Sequence, residues 1–87
     1  MHELSLLKDI LGKMESISNE NNNAQIIKAV IKLGALSHIS SSHFSEHFYE
    51  AVKGTVAENA KLDIIASKNI KDPHAQDIIL ESVELEE

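Results

Sequence analysis

Gln25-Ile26-Ile27-Lys28-Ala29-Val30-Ile31-Lys32-Leu33 decides the fold, because it changes the period of the chain from helix to strand. Ile27, Ala29, Ile31 and Leu33 fall on one side of an extended segment, and Ile26, Lys28, Val30 and Lys32 on the other, the pattern of a half-buried strand. On its N-terminal side Leu4, Leu7, Leu11 and Met14, flanked by Leu6, Ile10 and Ile17, recur at helical spacing, so a helix is expected over Leu4 to Ser18. The run Asn19-Glu20-Asn21-Asn22-Asn23 is rich in turn formers and should end it.

On the C-terminal side Ser40, Ser41 and Ser42 offer a hydroxyl cap to a second helix, whose buried face should carry Phe44, Phe48, Ala51, Val52 and Thr55, with Gly54 near its close. A second strand is expected from about Lys61 to Ser67, with Leu62, Ile64 and Ala66 facing one way, and a third from about Asp77 to Glu86, the two joined as a hairpin. In the third, Ile78 and Leu80 share one parity and Val83 and Leu85 the other. A bulge near Glu81 and Ser82 would bring both pairs to one face. A helix between strands one and two makes a crossover that leaves them parallel, and strand three returns antiparallel. The expectation is a two-layer α+β domain in the order α-β-α-β-β, with both helices on one face of a three-stranded mixed sheet. Its open face and edges invite a homodimer, and a shortened hairpin would favour strand exchange.

The 87 residues are one domain's worth of chain, with no cysteine. The formal charge is −6 and unevenly placed: residues 1–71 hold eight acids and eight lysines, residues 72–87 six acids and no base. There is no arginine and there are only three aromatic residues, which argues against nucleic-acid binding. No apolar run is long enough to span a membrane, and Glu3, Lys8 and Asp9 break any signal-peptide pattern, so a cytoplasmic protein is expected. No glycine-rich phosphate loop, cysteine nucleophile or recognisable Ser/His/acid spacing is present, so no enzyme is expected.

Chemistry is concentrated at Met1-His2-Glu3. The amine of Met1, the amide and imidazole nitrogens of His2 and the amide of Glu3 can close fused chelate rings around one ion. Four nitrogens in a plane suit Ni(II) or Cu(II) better than tetrahedral Zn(II). The competing structural reading is a terminus that merely frays from the first helix. Four more histidines are candidates: His43 and His47, four apart on one helix face, and His38 and His74 in loops.

Met1-His2-Glu3-Leu4-Ser5-Leu6, Leu33-Gly34-Ala35-Leu36-Ser37, Gly54-Thr55-Val56-Ala57-Glu58-Asn59-Ala60-Lys61-Leu62 and Leu80-Glu81-Ser82-Val83-Glu84-Leu85-Glu86 stand in an order and spacing that resembles the hydrogenase-maturation nickel metallochaperones, the HypA/HybF family. The resemblance runs nearly end to end. It implies that His2, with its own amide, the Glu3 amide and the Met1 amine, is the nickel ligand. It also implies transient Ni(II) binding and delivery to hydrogenase, and in some bacteria urease, with a maturation GTPase and a nickel-enzyme precursor as partners.

The family carries a zinc lobe with two Cys-x-x-Cys pairs between its last two strands. Here residues 67–76, a turn-rich segment around Pro73, stand in that place, so residues 1–87 read as a single nickel-binding domain with no structural zinc. Ala35 replaces an acid common in relatives, Glu46 an aromatic, and Asn59 a glycine whose left-handed turn asparagine tolerates. His43 and His47 stand where relatives commonly have small apolar residues, and any of His38, His43, His47 or His74 could replace a ligand that some relatives take from the zinc lobe. The alternative is an interaction or regulatory module that has lost metal delivery.

Overall fold

The computed structural model describes residues 3–86. Helix α1 (Glu3–Glu20) is followed by strand β1 (Ile26–Leu33), helix α2 (Ser41–Ala51) and strands β2 (Lys61–Ala66) and β3 (Ile78–Leu85). The class and element order are those the sequence predicts.

α1 buries Leu7, Ile10, Met14 and Ser18, a row at steps of three and four that lies on the sheet, with Leu6 and Leu11 packed at its margins. Ser18 is a polar side chain with no exposed surface, and it is satisfied because its Oγ donates to the Ala24 carbonyl at 2.7 Å. The asparagine run ends the helix as expected. Asn21 and Asn23 donate their backbone N–H groups to the Ser18 carbonyl, and Asn22 and Asn23 take left-handed φ values of 61° and 58°.

α2 starts where Ser40 Oγ accepts the His43 N–H at 3.1 Å. Phe44, Phe48 and Val52 form its buried row, but Ala51 and Thr55 are exposed, because the helix closes at Val52 and the chain then turns. Burial passes instead to Ala57 and Ala60. Asn59 does not adopt the left-handed conformation the sequence suggested. Gly54, at φ +77°, makes the reversal, and the segment after it is pinned by Thr55 Oγ1, which donates to the Val52 carbonyl and accepts from the Ala57 N–H.

The sheet order is β2-β1-β3, with β1 parallel to β2 and antiparallel to β3. The expected β2–β3 hairpin is therefore absent. These strands lie on opposite sides of β1, and residues 67–77 cross over its C-terminal end, which also removes the hairpin argument for strand exchange. Ser67 donates its N–H to the Leu33 carbonyl, Gly34 to Asp77 and Leu36 to Ala75, so the crossover is stitched to the segment that leaves β1.

Between Val30↔Ser82 and Ile31↔Leu80 one residue of β3, Glu81, has no opposite number. That bulge carries Ile78, Leu80, Val83 and Leu85 onto the core side, as their changing parity requires. A second irregularity, between Ile26 and Lys28, was not foreseen; it turns Ile26 inward and leaves Ile27 exposed, reversing the parity expected at the start of β1. From Ala29 onward the expected face is buried. Residues from both helices join Ala29, Ile31 and Leu33 in one core, so both helices lie on the same face of the sheet. On the opposite face Lys28 Nζ lies 3.4 Å from Asp63 Oδ2, and at the edge of β2 the exposed N–H of Leu62 donates to the hydroxyl of Tyr49 on α2.

Candidate metal centre

Two grooves fix the direction of the helices. Leu6, Asp9, Ile10 and Lys13, from the first half of α1, lie beside His74, Asp77 and Ile78 at the end of the sheet where β1 finishes. Met14 and Asn19, from its second half, lie beside Ile26 and the Gly54–Ala57 turn that follows α2. Both helices therefore begin at the C-terminal end of β1. The same end holds the Gly34–Ser40 loop and the 67–77 crossover, so the starts of both helices and the two histidine-bearing loops gather at one pole.

Met1 and His2 lie outside the described residues; Glu3 opens α1, and its side chain is outside the description too. His38 sits in the loop after β1 at φ +59°, a conformation that asparagine, aspartate and histidine enter more readily than most side chains. Its place is accounted for by backbone shape. His43 and His47 are brought together on α2, with their Nε2 atoms 3.0 Å apart and ring centroids 4.7 Å apart.

His74 is held within its own loop. Its N–H donates to Asp72 Oδ1 at 2.8 Å, and its Nδ1 lies 2.9 Å from Asp77 Oδ2. Sequence reading missed both carboxylates, although an aspartate two residues before an N–H, with proline between, is the signal of such a turn. Among the described residues no three His, Asp or Glu side chains converge to hold a metal ion.

The His74 N–H, and beside it the Lys32 ammonium 3.3 Å from Asp72 Oδ2, hold the Asp72 carboxyl below its ordinary value of 3.8. A depressed carboxyl stabilises the fold above its unfolded value, and the contribution is lost as pH falls through the lower folded value. Replacing Asp72 with Asn keeps an acceptor for the turn but removes the charge. Urea midpoints of parent and Asp72→Asn should differ at neutral pH and converge in acid as the pH falls through the lowered folded value; a gap of constant size would show that the carboxylate's charge contributes nothing.

Residues 1–71 match the model of the family described as hydrogenase/urease nickel incorporation, metallochaperone, hypA. The chain belongs to the HypA family. The hydrogenase maturation factor HypA of Francisella philomiragia is 36% identical over 70 residues, covering 80% of this chain and 62% of that protein. The HypA factor of Aquifex aeolicus is 36% identical over 62 residues, covering 71% and 54%. This HypA-family chain thus spans little more than half the length of the curated relatives it matches. The fold is also that of the Ni metallochaperone HypA from Helicobacter pylori, whose solution structure superposes with a TM-score of 0.77 at 21% identity over 98% of this chain and 97% of that one. With no cysteine, this HypA chain has no four-cysteine zinc site.

Among the described residues no helix is long and apolar enough to cross a membrane.

Proposed function

We propose that this chain is a nickel-binding metallochaperone domain that takes up Ni(II) through the Met1 amine, the amide and imidazole of His2 and the amide of Glu3. It passes the ion to a nickel-enzyme precursor, of hydrogenase or urease, together with a maturation GTPase. The observation that carries this reading is the family match, which begins at residue 1 and so includes Met1-His2-Glu3. A terminal amine, two amides and an imidazole make a square of nitrogens, a geometry Ni(II) accepts. A donor set on the chain terminus orders and releases at low entropic cost, as cargo binding requires. The role is carriage and not catalysis, and its setting is the cytoplasm, where nickel enzymes of this kind mature.

Residues 1–87 form one domain in this reading, and residues 67–76 occupy the place of the zinc lobe. The absence of cysteine supports it, as does a family match that stops at residue 71, inside the crossover. A second reading, an interaction module or homodimer that no longer delivers metal, is favoured by Ile65 and Ile70, which are 51% and 64% exposed on and beside edge strand β2.

Titration of tag-free protein with Ni(II), beside His2→Ala and a variant extended before Met1, separates the two. Loss of a ligand should weaken binding by more than the roughly 10–100-fold seen when a supporting group alone is removed, and the planar nickel spectrum should vanish in both variants. Persistence of that spectrum in both would defeat the chaperone reading. Self-association indifferent to nickel would establish the second.

A further inference from the structure

The His43–His47 pair on α2 is built on a rigid base. Phe44 and Phe48, each next in sequence to one of the histidines, have no exposed surface and stack at a centroid separation of 6.3 Å, so the first two turns of α2 are anchored to the core. Ser40 caps the same turn by accepting the N–H of His43 itself. The spacing of four residues then places one imidazole above the other. Their Nε2 atoms are 3.0 Å apart with the rings inclined by 50°.

Without metal, such a pair shares one proton, with one ring donating and the other accepting. The same separation is also a chelate bite. For metal–nitrogen bonds of about 2.1 Å, nitrogens 3.0 Å apart subtend an angle of about 90° at the ion, whereas a tetrahedral centre needs about 3.4 Å between them. A right angle is the cis angle of octahedral and square ions. The separation therefore suits the cis angle of Ni(II) or Cu(II) better than the wider bite of tetrahedral Zn(II).

We propose that His43 and His47 form a second, two-coordinate protein site for a divalent late transition metal, bound through both Nε2 atoms and completed by water. Each neutral ring keeps its single proton: the ring that donates from Nε2 passes to its Nδ1–H tautomer by exchange with solvent as the ion enters, which leaves both Nε2 lone pairs for the metal. Both helices begin at the same pole, so this site lies on the end of the domain where α1 opens at Glu3. It gives the chain a position for metal that needs neither the Met1 amine nor His2, and it stands whether or not the terminal site binds nickel.

The test is Ni(II) titration of the full chain as parent, His2→Ala, His47→Gln and the double variant, followed by imidazole NMR and thermal melting. His47 is half-buried and paired with His43, so each variant is melted first without metal and every nickel effect is read as a shift from that variant's own metal-free melting temperature. His2→Ala should still bind one Ni(II), broaden the His43 and His47 ring signals first and melt higher with the ion. The double variant should lose at least tenfold in affinity and show no such rise. If the double variant binds Ni(II) as His2→Ala does, or if His2→Ala binds none, the second site is overturned. A parent that binds one ion, in a manner that needs His47 and not His2, would instead defeat the terminal site and leave this one standing.

Discussion

Gly34→Ala should remove a large share of the fold's stability, although the substitution adds only one methyl group. The new Cβ would sit 2.6 Å from the Ala75 carbonyl carbon and 2.7 Å from the His74 oxygen, and closer still to the Ala75 oxygen. All three are backbone atoms, so no side chain can swing aside. To make room, the crossover would have to lift from the end of β1, breaking the hydrogen bonds Gly34 N–H to Asp77 and Leu36 N–H to Ala75 at 2.9 and 2.7 Å. Overpacking typically costs about 1–3 kcal/mol, and each broken hydrogen bond adds roughly 1 kcal/mol. A total on the order of 3–5 kcal/mol compares with about 4–13 kcal/mol for a domain of this length.

The control is Gly12→Ala, on the exposed side of α1 with nothing near the added Cβ, which should stabilise by about 0.5–1 kcal/mol through helix propensity alone. Urea unfolding of the two variants checks the pair. Equal midpoints would mean that the crossover does not press on Gly34.

That contact explains why the chain's order of strands was harder to read than its strands. Periodicity located all five elements, and the parity change in β3 revealed its bulge, because both are properties of a segment and its neighbours. Which strand takes the centre depends on comparison among strands. β1 carries no acid and buries Ala29, Ile31 and Leu33, while Asp63 in β2 and Glu81 and Glu84 in β3 suit edges. Those charges are legible in the sequence, but the hairpin expectation joins consecutive strands by their closeness along the chain.

The irregularity at Ile26 and Ile27 left no such trace, since two isoleucines in a row satisfy either parity. Of the candidate site, the i, i+4 spacing of His43 and His47 gave their proximity. The carboxylates around His74 follow from the path of the crossover, which the hairpin expectation had misplaced.

Phe48→Ala should be the most damaging core substitution in α2, and it tests how the metal pair depends on its base. Phe48 is fully buried, lies 25° from parallel with Phe44 and meets the ring of Tyr49 edge-on at 5.5 Å between centroids. Truncating a buried phenylalanine costs about 3–5 kcal/mol, because the lost transfer energy is joined by the cavity left behind. Tyr49 suffers too, and with it the hydroxyl that accepts the Leu62 N–H on β2, so the loss should lie toward the upper end of that range. The variant should then populate unfolded chain at 25 °C.

If His43 and His47 bind Ni(II) only in the folded state, the ion should recover part of that loss, about 2.7 kcal/mol at a free concentration one hundred times the dissociation constant. Thermal melts of Phe48→Ala with and without Ni(II), in a His2→Ala background, read this directly. A melting temperature that rises with nickel, and ceases to rise when His47 is also replaced by Gln, ties the ion to a pair that exists only while α2 is folded. A rise that survives loss of His47 would place the ion elsewhere on the fold.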